Sequence, residues 1–370
     1  MRYKVCLTTP TPCHYREGIY KLLEDELGCS FVLGNMNPSI KPLPPKALSV
    51  VNRSRCHSLT GTPFYWLSGV IKEVRKYDII IDDMGIFCLT SWLNLFIAKL
   101  RSQKVYMWSH GWYGRESLIK KWIKRAYSAF SDGMFLYGEY ARKLMIENGF
   151  NPEKLHVIHN SLNYNHQLKI RQSLNRDNIY EQKFGNNQPV IIFIGRLTKV
   201  KRLGMLLDAL DLLKRENYIC NLVIIGDGEM RAELRDMISA KDIDSQVWMY
   251  GPCYDEEINA KLIYNADLCV APGNVGLTAI HAMMFGCPCI SHDSFCNQMP
   301  EFEAIVPFKT GNYFKYDNVY DLADKIKLWF TRKDYSREEI RQSCYWEIDH
   351  NWNPNIQVKI IKSVIEGINK

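Results

Sequence analysis

The chain has 370 residues, 46% hydrophobic and 24% charged, an ordinary globular composition with enough apolar side chains for two cores. Neither glycine (22) nor proline (15) is in excess, which excludes disorder, collagen-like repeats and low complexity. The formal charge is only +7, so where it sits matters more than how large it is.

The first residues lack the long apolar core and small-residue cleavage site of a signal peptide. The uncharged apolar stretch from Met84 to Ala98 is too short to span a bilayer. The 12 cysteines include no CxxC and fit neither a disulfide framework nor tetrahedral metal spacing. Reduced, buried thiols in a cytoplasmic protein without a metal site are the expectation.

In chain order, β-rich runs are predicted near 3–9, 30–34, 78–82, 104–108, 133–137 and 155–158. Helical patterns lie between them near 17–27, 64–76, 90–101, 117–130 and 139–148, and the Pro-rich run 42–45 reads as a long loop. From 160 to 188 the pattern fades into polar residues, a crossing segment. Strands then resume near 190–195, 221–226, 247–251, 267–271 and 288–291. Helices alternate with them near 201–214, 229–239, 255–264 and 277–285, and further helices follow near 319–331, 336–346 and 355–369. The alternation predicts two doubly wound α/β domains, a first over 1–165 and a second over 166–349, with the helix in 350–370 returning to the first. Ligands of such sheets bind at the carboxyl ends of strands, so an interdomain cleft is expected.

The sharpest local signal is the strand ending at Gly195, followed by Arg196 and Lys201 on the turn into the next helix. A guanidinium fork and a mobile ammonium there suit a diphosphate, although a basic turn can also simply solvate a helix start. Pro272-Gly273-Asn274-Val275-Gly276 leaves another strand and enters a helix near Leu277, whose exposed amides suit phosphate oxygens. Gly-Asp-Gly at 226–228 and MPEFEAI at 299–305 are further loops at the same sheet edge.

GRLTKVKRLGMLLDAL, LVIIGDGEMRAEL, VWMYGP, DLCVAPGNVGLTAIHAMMFGCPCIS and MPEFEAI occur in the order and spacing of family 4 (group 1) glycosyltransferases with the GT-B fold. The resemblance is strong over about 155–315 and looser in the first domain, where SHGW at 109–112 is the shared feature. It implies a nucleotide-sugar-dependent transferase that holds its donor mainly in the second domain. Arg196 and Lys201 would grip the diphosphate. Amides of Gly276, Leu277 and Thr278 would meet the distal phosphate, and Tyr250, Gly251, Pro252 and Cys253 would lie near the base. The family's two glutamates, eight positions apart, are replaced by Gly273 and His281. The first normally meets donor-sugar hydroxyls and accompanies retention of anomeric configuration; the second meets the ribose, to which His281 could still hydrogen-bond, or it could pack within its own domain.

His110, after the strand KVYMW, would contact the donor sugar or its phosphate by the same resemblance, or merely cap the next element. His14, Tyr15 and Arg16 in the first loop would face the acceptor. No DxD-type pair stands out, since Asp82-Asp83 reads as a turn, and metal-independent activity without a cofactor is expected. Residues 101–130 hold seven basic side chains and one acid, Glu116, a net +6. On helix 117–130, Leu118, Ile119, Trp122, Ile123, Ala126, Tyr127 and Phe130 form one stripe, predicted to pack on the sheet. Lys120, Lys121, Lys124 and Arg125 would then face outward, toward anionic phospholipid or toward water; nucleic acid is not expected. The resulting expectation is transfer of a hexose-type sugar, from UDP by default with GDP as the other option, to a saccharide on a lipid-diphosphate carrier at the cytoplasmic membrane face, as in capsule or lipopolysaccharide assembly. A nucleotide-sugar epimerase or hydrolase, and a non-catalytic binding partner, are the competing readings.

Overall fold

The computed structural model describes residues 3–36, 42–44, 46–49, 51–334 and 336–367; the segment 42–45 and the chain ends fall partly outside them. The chain forms two units, one up to Asn163 plus the residues from Asn353 onward, the other Tyr164–Trp352. The boundary expected at 165 falls two residues earlier, and the return expected at 350 falls three later.

The first unit contains β1 (Val5–Thr9), α1 (Glu17–Leu27), β2 (Ser30–Leu33), β3 (Val51–Arg53), β4 (Cys56–Ser58), β5 (Tyr65–Leu67), α2 (Val70–Val74), β6 (Ile79–Asp82), α3 (Leu89–Leu100), β7 (Lys104–Ser109), α4 (Leu118–Ala129), β8 (Gly133–Leu136), α5 (Glu139–Glu147) and β9 (Leu155–Val157). Its seven-stranded sheet has the order β3-β2-β1-β6-β7-β8-β9, every pair parallel. Parallel strands are covered on both faces, which is why they read as unbroken apolar runs. Successive residues alternate between two cores. Val5, Leu7, Ile79 and Ile81 meet Ile19 and Leu23 of α1 on one face; Cys6, Ile80, Val105 and Met107 meet Leu95 and Ala98 of α3 on the other. Val358, Ile361 and Ile365 of the last helix complete the first of these cores.

The second unit holds α6 (Tyr164–Ser173), α7 (Ile179–Phe184), β10 (Val190–Ile194), α8 (Leu203–Arg215), β11 (Asn221–Ile225), α9 (Arg231–Ala240), β12 (Val247–Gly251), α10 (Glu256–Asn265), β13 (Leu268–Ala271), α11 (Leu277–Met284), β14 (Cys289–His292), β15 (Gly311–Phe314), α12 (Val319–Thr331) and α13 (Arg337–His350). The returning helix of the first unit, α14 (Pro354–Glu366), starts with Pro at its first position and Asn353 as cap, both standard start signals. The second sheet, β12-β11-β10-β13-β14-β15, is also wholly parallel.

Four expectations need correction. The segment 64–76 is not one helix: its aromatic run forms β5, antiparallel to β4, and Gly69, at φ 79°, breaks the chain before the short α2. The crossing segment 160–188 contains α6 and α7, whose polar sequences hid them because each buries little beyond Gln167, Ile170 and Tyr180. Strands β3 (VNR) and β15 (GNYF) escape prediction because neither carries an unbroken apolar run. The fourth correction concerns α4, whose amino-terminal half faces otherwise than predicted. Leu118, Ile119 and Trp122 are exposed, whereas Lys124 turns inward to donate to Glu116 at 2.8 Å and to the Gly111 carbonyl at 2.8 Å. Lys121 lies over the Trp112 ring at 5.6 Å, and only Lys120 and Arg125 of the four cations stay exposed. The helix meets the rings of Trp112 and Tyr113, and Glu116, with Lys121 and Lys124, and Tyr127 alone of the stripe is buried.

Candidate active site

In the second unit the carboxyl ends of the central strands meet as nearly bare backbone. Gly226, after β11, takes φ 144°, and a Cβ there would fall 1.9 Å from the Gly195 carbonyl oxygen. Gly228 at φ 156° would place one 2.5 Å from the Leu197 carbonyl. Such close approach is open only to glycine. The Thr278 hydroxyl donates to Ile194 O at 2.9 Å, tying the start of α11 to the end of β10.

The turn Lys199–Lys201 presses on the loop before α11. Gly273 N donates to Lys201 O at 3.1 Å, and a Cβ at 273 would sit 2.0 Å from Val200 O. The space is filled by main chain, so the family's first glutamate has not merely been substituted: no side chain fits there. Gln298 accepts from Val275 N at 2.9 Å and donates to Ser291 Oγ at 2.8 Å, holding the loop from beneath. Gly276, at φ 53°, caps α11.

Lys201 Nζ donates to the Asn274 carbonyl at 2.6 Å, and lies 3.8 Å from where a Cβ of Gly276 would be. Burial pushes its pKa down to about 8; Glu301 opposes that shift and the nearby Arg196 adds to it. An ammonium so stripped of water gains more from an arriving anion than a solvated one does. Arg196 itself is exposed, and Asn274 Oδ1 is buried without a hydrogen-bond partner among the described residues. Lys201, Arg196, Asn274, Gly276, Leu277 and Thr278 thus come together around Gly195.

His281, on the second turn of α11, is bonded through Nε2 to Glu256 Oε1 at 2.9 Å; Gln167 donates to the same oxygen at 2.7 Å. Burial would raise the Glu256 pKa, but His281 and Gln167 outweigh it and hold the carboxyl below its usual range. Sequence reasoning missed Glu256. Its only signal is Asp255-Glu256 opening a helix after β12, with Asp255 taken up as the cap. Tyr250 lies on β12 with its ring 5.0 Å from Trp248; Gly251 is buried and Pro252 exposed.

In the first unit, Asp82, Phe87, His110, Tyr113, Arg115 and Lys120 are among the residues lining a cavity of about 550 Å3. His110 follows β7 and lies 4.6 Å from the Tyr137 ring; its Nδ1 is buried without a partner among the described residues. Burial, then Arg16 and Lys124, lower its pKa to about 4, so the imidazole is neutral at ordinary pH and offers hydrogen bonds rather than charge. Arg16 is not open to an acceptor: its guanidinium donates to Asp83 at 2.7 Å and to the Tyr137 hydroxyl. Tyr15 is half-buried, and His14 is exposed with its ring against Tyr15. Asp82 accepts from Met84 N at 2.8 Å and Ser91 Oγ at 2.7 Å, and burial raises its pKa to about 6 despite those bonds. Among the described residues no group of three or more His, Cys, Asp or Glu is placed to hold a metal, and no helix is long and apolar enough to cross a membrane.

Residues 175–345 match the family described as glycosyl transferases group 1. A protein of Klebsiella pneumoniae described as an uncharacterized 41.2 kDa protein in the cps region is 25% identical over 66% of this chain and 68% of its own length. The poly(ribitol-phosphate) alpha-N-acetylglucosaminyltransferase of Staphylococcus aureus (strain COL) is 22% identical over 83% of this chain, which spans only 59% of that relative. Among solved structures, Anabaena HepE in complex with UDP superposes with a TM-score of 0.74 at 15% identity, covering 98% of this chain and 100% of its own. A lipopolysaccharide outer core galactosyltransferase, WaaB, gives 0.72 at 14%, over 99% and 100%. Residues 175–345 are thus similar to the group 1 glycosyl transferases, and the chain as a whole has the GT-B fold of these neighbours.

Proposed function

We propose that this glycosyltransferase moves a hexose-type sugar from a uridine diphosphate donor to a hydroxyl of a saccharide carried on a lipid, in surface polysaccharide assembly at a membrane face. The observation that carries the reading is Lys201, a water-stripped ammonium beside the amide end of α11 on a glycine-lined strand edge. The names of the relatives support the polysaccharide context, and UDP in the HepE complex supports the nucleotide.

In this reading Lys201 and Arg196 take the two phosphates, and the amides of Gly276, Leu277 and Thr278 receive the distal one. As the bond from sugar to phosphate breaks, negative charge grows on the departing diphosphate. These donors stabilise it without reorganising, which lowers the barrier. The reaction needs no metal, because the cations and amides supply the charge a metal would. Neutral His110 orients a sugar hydroxyl. The His281–Glu256 pair serves the ribose, with Glu256 returning from α10 the carboxylate that position 281 lacks. Retention of anomeric configuration is carried over from the family; Gly273 means that a carboxylate at that position has no part in it.

The test is turnover and binding against UDP, GDP and dTDP sugars with saccharide acceptors. Acceptor-dependent release of UDP supports the reading. Donor hydrolysis that ignores the acceptor, or tight binding with no turnover, overturns it.

A further inference from the structure

Two neighbouring helices of the first unit each turn a stripe of bulky apolar side chains to solvent while Leu95 and Ala98 of α3 and Tyr127 of α4 pack inward. On α3 the buried side also includes Ser91 and Asn94, at 0% and 1% exposure, and the Asn94 amide has no hydrogen-bond partner among the described residues. Its apolar residues Leu93, Phe96 and Leu100 are 48%, 59% and 72% exposed, at helical spacing along one stripe. On α4, Leu118, Ile119 and Trp122 are 77%, 73% and 73% exposed, while Lys121 and Lys124 turn to the protein. The two helices lie side by side: the Trp92 and Tyr127 rings meet at 4.9 Å, and Lys99 reaches Asp132 at 4.0 Å. Bulky apolar side chains gathered this way on two adjacent elements form a patch of the kind that marks an interaction surface.

From this geometry we infer that the α3–α4 ridge inserts into the headgroup region of an anionic lipid bilayer. The charge distribution selects that occupant. Arg101 follows the stripe of α3, and Lys120 and Arg125 flank that of α4, all three exposed. Within 101–130 the single acid, Glu116, is already paired with Lys124. A second copy of the chain on the same ridge would set these cations against their own kind, whereas anionic headgroups neutralise them while the acyl boundary receives Leu, Ile, Phe and Trp. The ridge therefore binds by apolar insertion, with charge as the attractor. That differs from a basic face resting on lipid, which salt alone would lift off. Lys120 and Lys124 also line the 550 Å3 cavity, so a docked ridge sets that cavity beside the lipid surface. This last consequence rests on the lipid-linked acceptor proposed above; the docking itself does not.

The experiment uses the full chain with phosphatidylglycerol–phosphatidylcholine vesicles. Binding is expected to persist in part at about 0.5 M salt, where exposed charges are screened beyond a few ångströms. The triple variant Leu118→Ser, Ile119→Ser, Trp122→Ser should bind vesicles about tenfold or more weakly, because apolar burial is lost. Its melting temperature and UDP affinity should be unchanged, since those side chains touch solvent. Brominated lipid should quench native fluorescence, and Trp122→Phe should lose most of that quenching. If the triple variant misfolds, Phe96→Ser with Leu100→Ser applies the same test from α3. Native-like vesicle binding by both variants overturns the inference, as does a native dimer that the same substitutions dissociate. Lost vesicle binding with intact glycosyl transfer to a soluble saccharide leaves the proposed function standing. Intact vesicle binding with no transfer sinks that function and spares the ridge.

Discussion

Replacing Lys201 with alanine separates a phosphate ligand from a merely structural lysine. Among the described residues the ammonium has one acceptor, the Asn274 carbonyl at 2.6 Å, and burial already lowers its pKa to about 8. At pH 7, one unit below that value, about 90% of the side chain is charged. A hydrogen bond to a charged group contributes about 1.5–3 kcal/mol, so Lys201→Ala should weaken UDP binding roughly 10- to 150-fold. Folding should suffer little, because removing a water-stripped charge also removes its desolvation cost. Isothermal titration and thermal melts on the same samples therefore give opposite answers for the two roles. The pH dependence sharpens the test. Native affinity should fall as pH rises through about 8 and the amine loses its proton, and the alanine variant should lack that fall. Near pH 8 the bound diphosphate favours the ammonium, so binding should take up a proton, seen as a binding enthalpy that varies with the buffer's ionisation heat. Affinity within twofold of native, or an unchanged pH profile, would refute the assignment.

Restoring the family glutamate by Gly273→Glu should destabilise the fold by about 1–3 kcal/mol, the usual range for overpacking, and impair UDP binding, since Val200 O lies 2.0 Å from the new Cβ. A native melting temperature with higher turnover would show that the turn yields. His110 has a folded pKa near 4, below its unfolded value of about 6.5, so the unfolded chain binds the extra proton. Its contribution is complete above about pH 6.5 and is lost as pH falls toward 4, at most about 3 kcal/mol. Urea titrations of His110→Gln should accordingly show a flatter acid limb than native; parallel limbs would place the His110 pKa nearer its ordinary value. Turnover should survive excess chelator, and its loss with recovery on adding magnesium would overturn the metal-independent reading.

The alternating strands and helices were legible because parallel strands buried on both faces must be apolar throughout, as in VIIFI and NLVII. Strand-end glycines marked the phosphate edge for a related reason: close backbone approach leaves no room for Cβ. Periodicity groups Leu118, Ile119 and Trp122 on one face, but it does not say which way that face points. Its direction depends on where Glu116 and Trp112 lie. The Glu256–His281 bond was equally hidden, since its partners belong to different helices 25 residues apart and only the fold brings them together. Arg16 looked available in sequence because Asp83, which occupies it, comes 67 residues later.

The return of α14 to the first unit bears on the order in which the chain folds during synthesis. Val358, Ile361 and Ile365 cover one face of the first sheet, yet they leave the ribosome after every residue of the second unit. Until then Ile19, Leu23 and the strands beneath them lack part of their cover, and an exposed apolar face invites association with other nascent chains. The second unit, continuous in sequence, can close as soon as Trp352 emerges. The usual order of amino-terminal domain first is thus reversed for the final packing step, and the first half of the molecule waits on the last helix to finish its core.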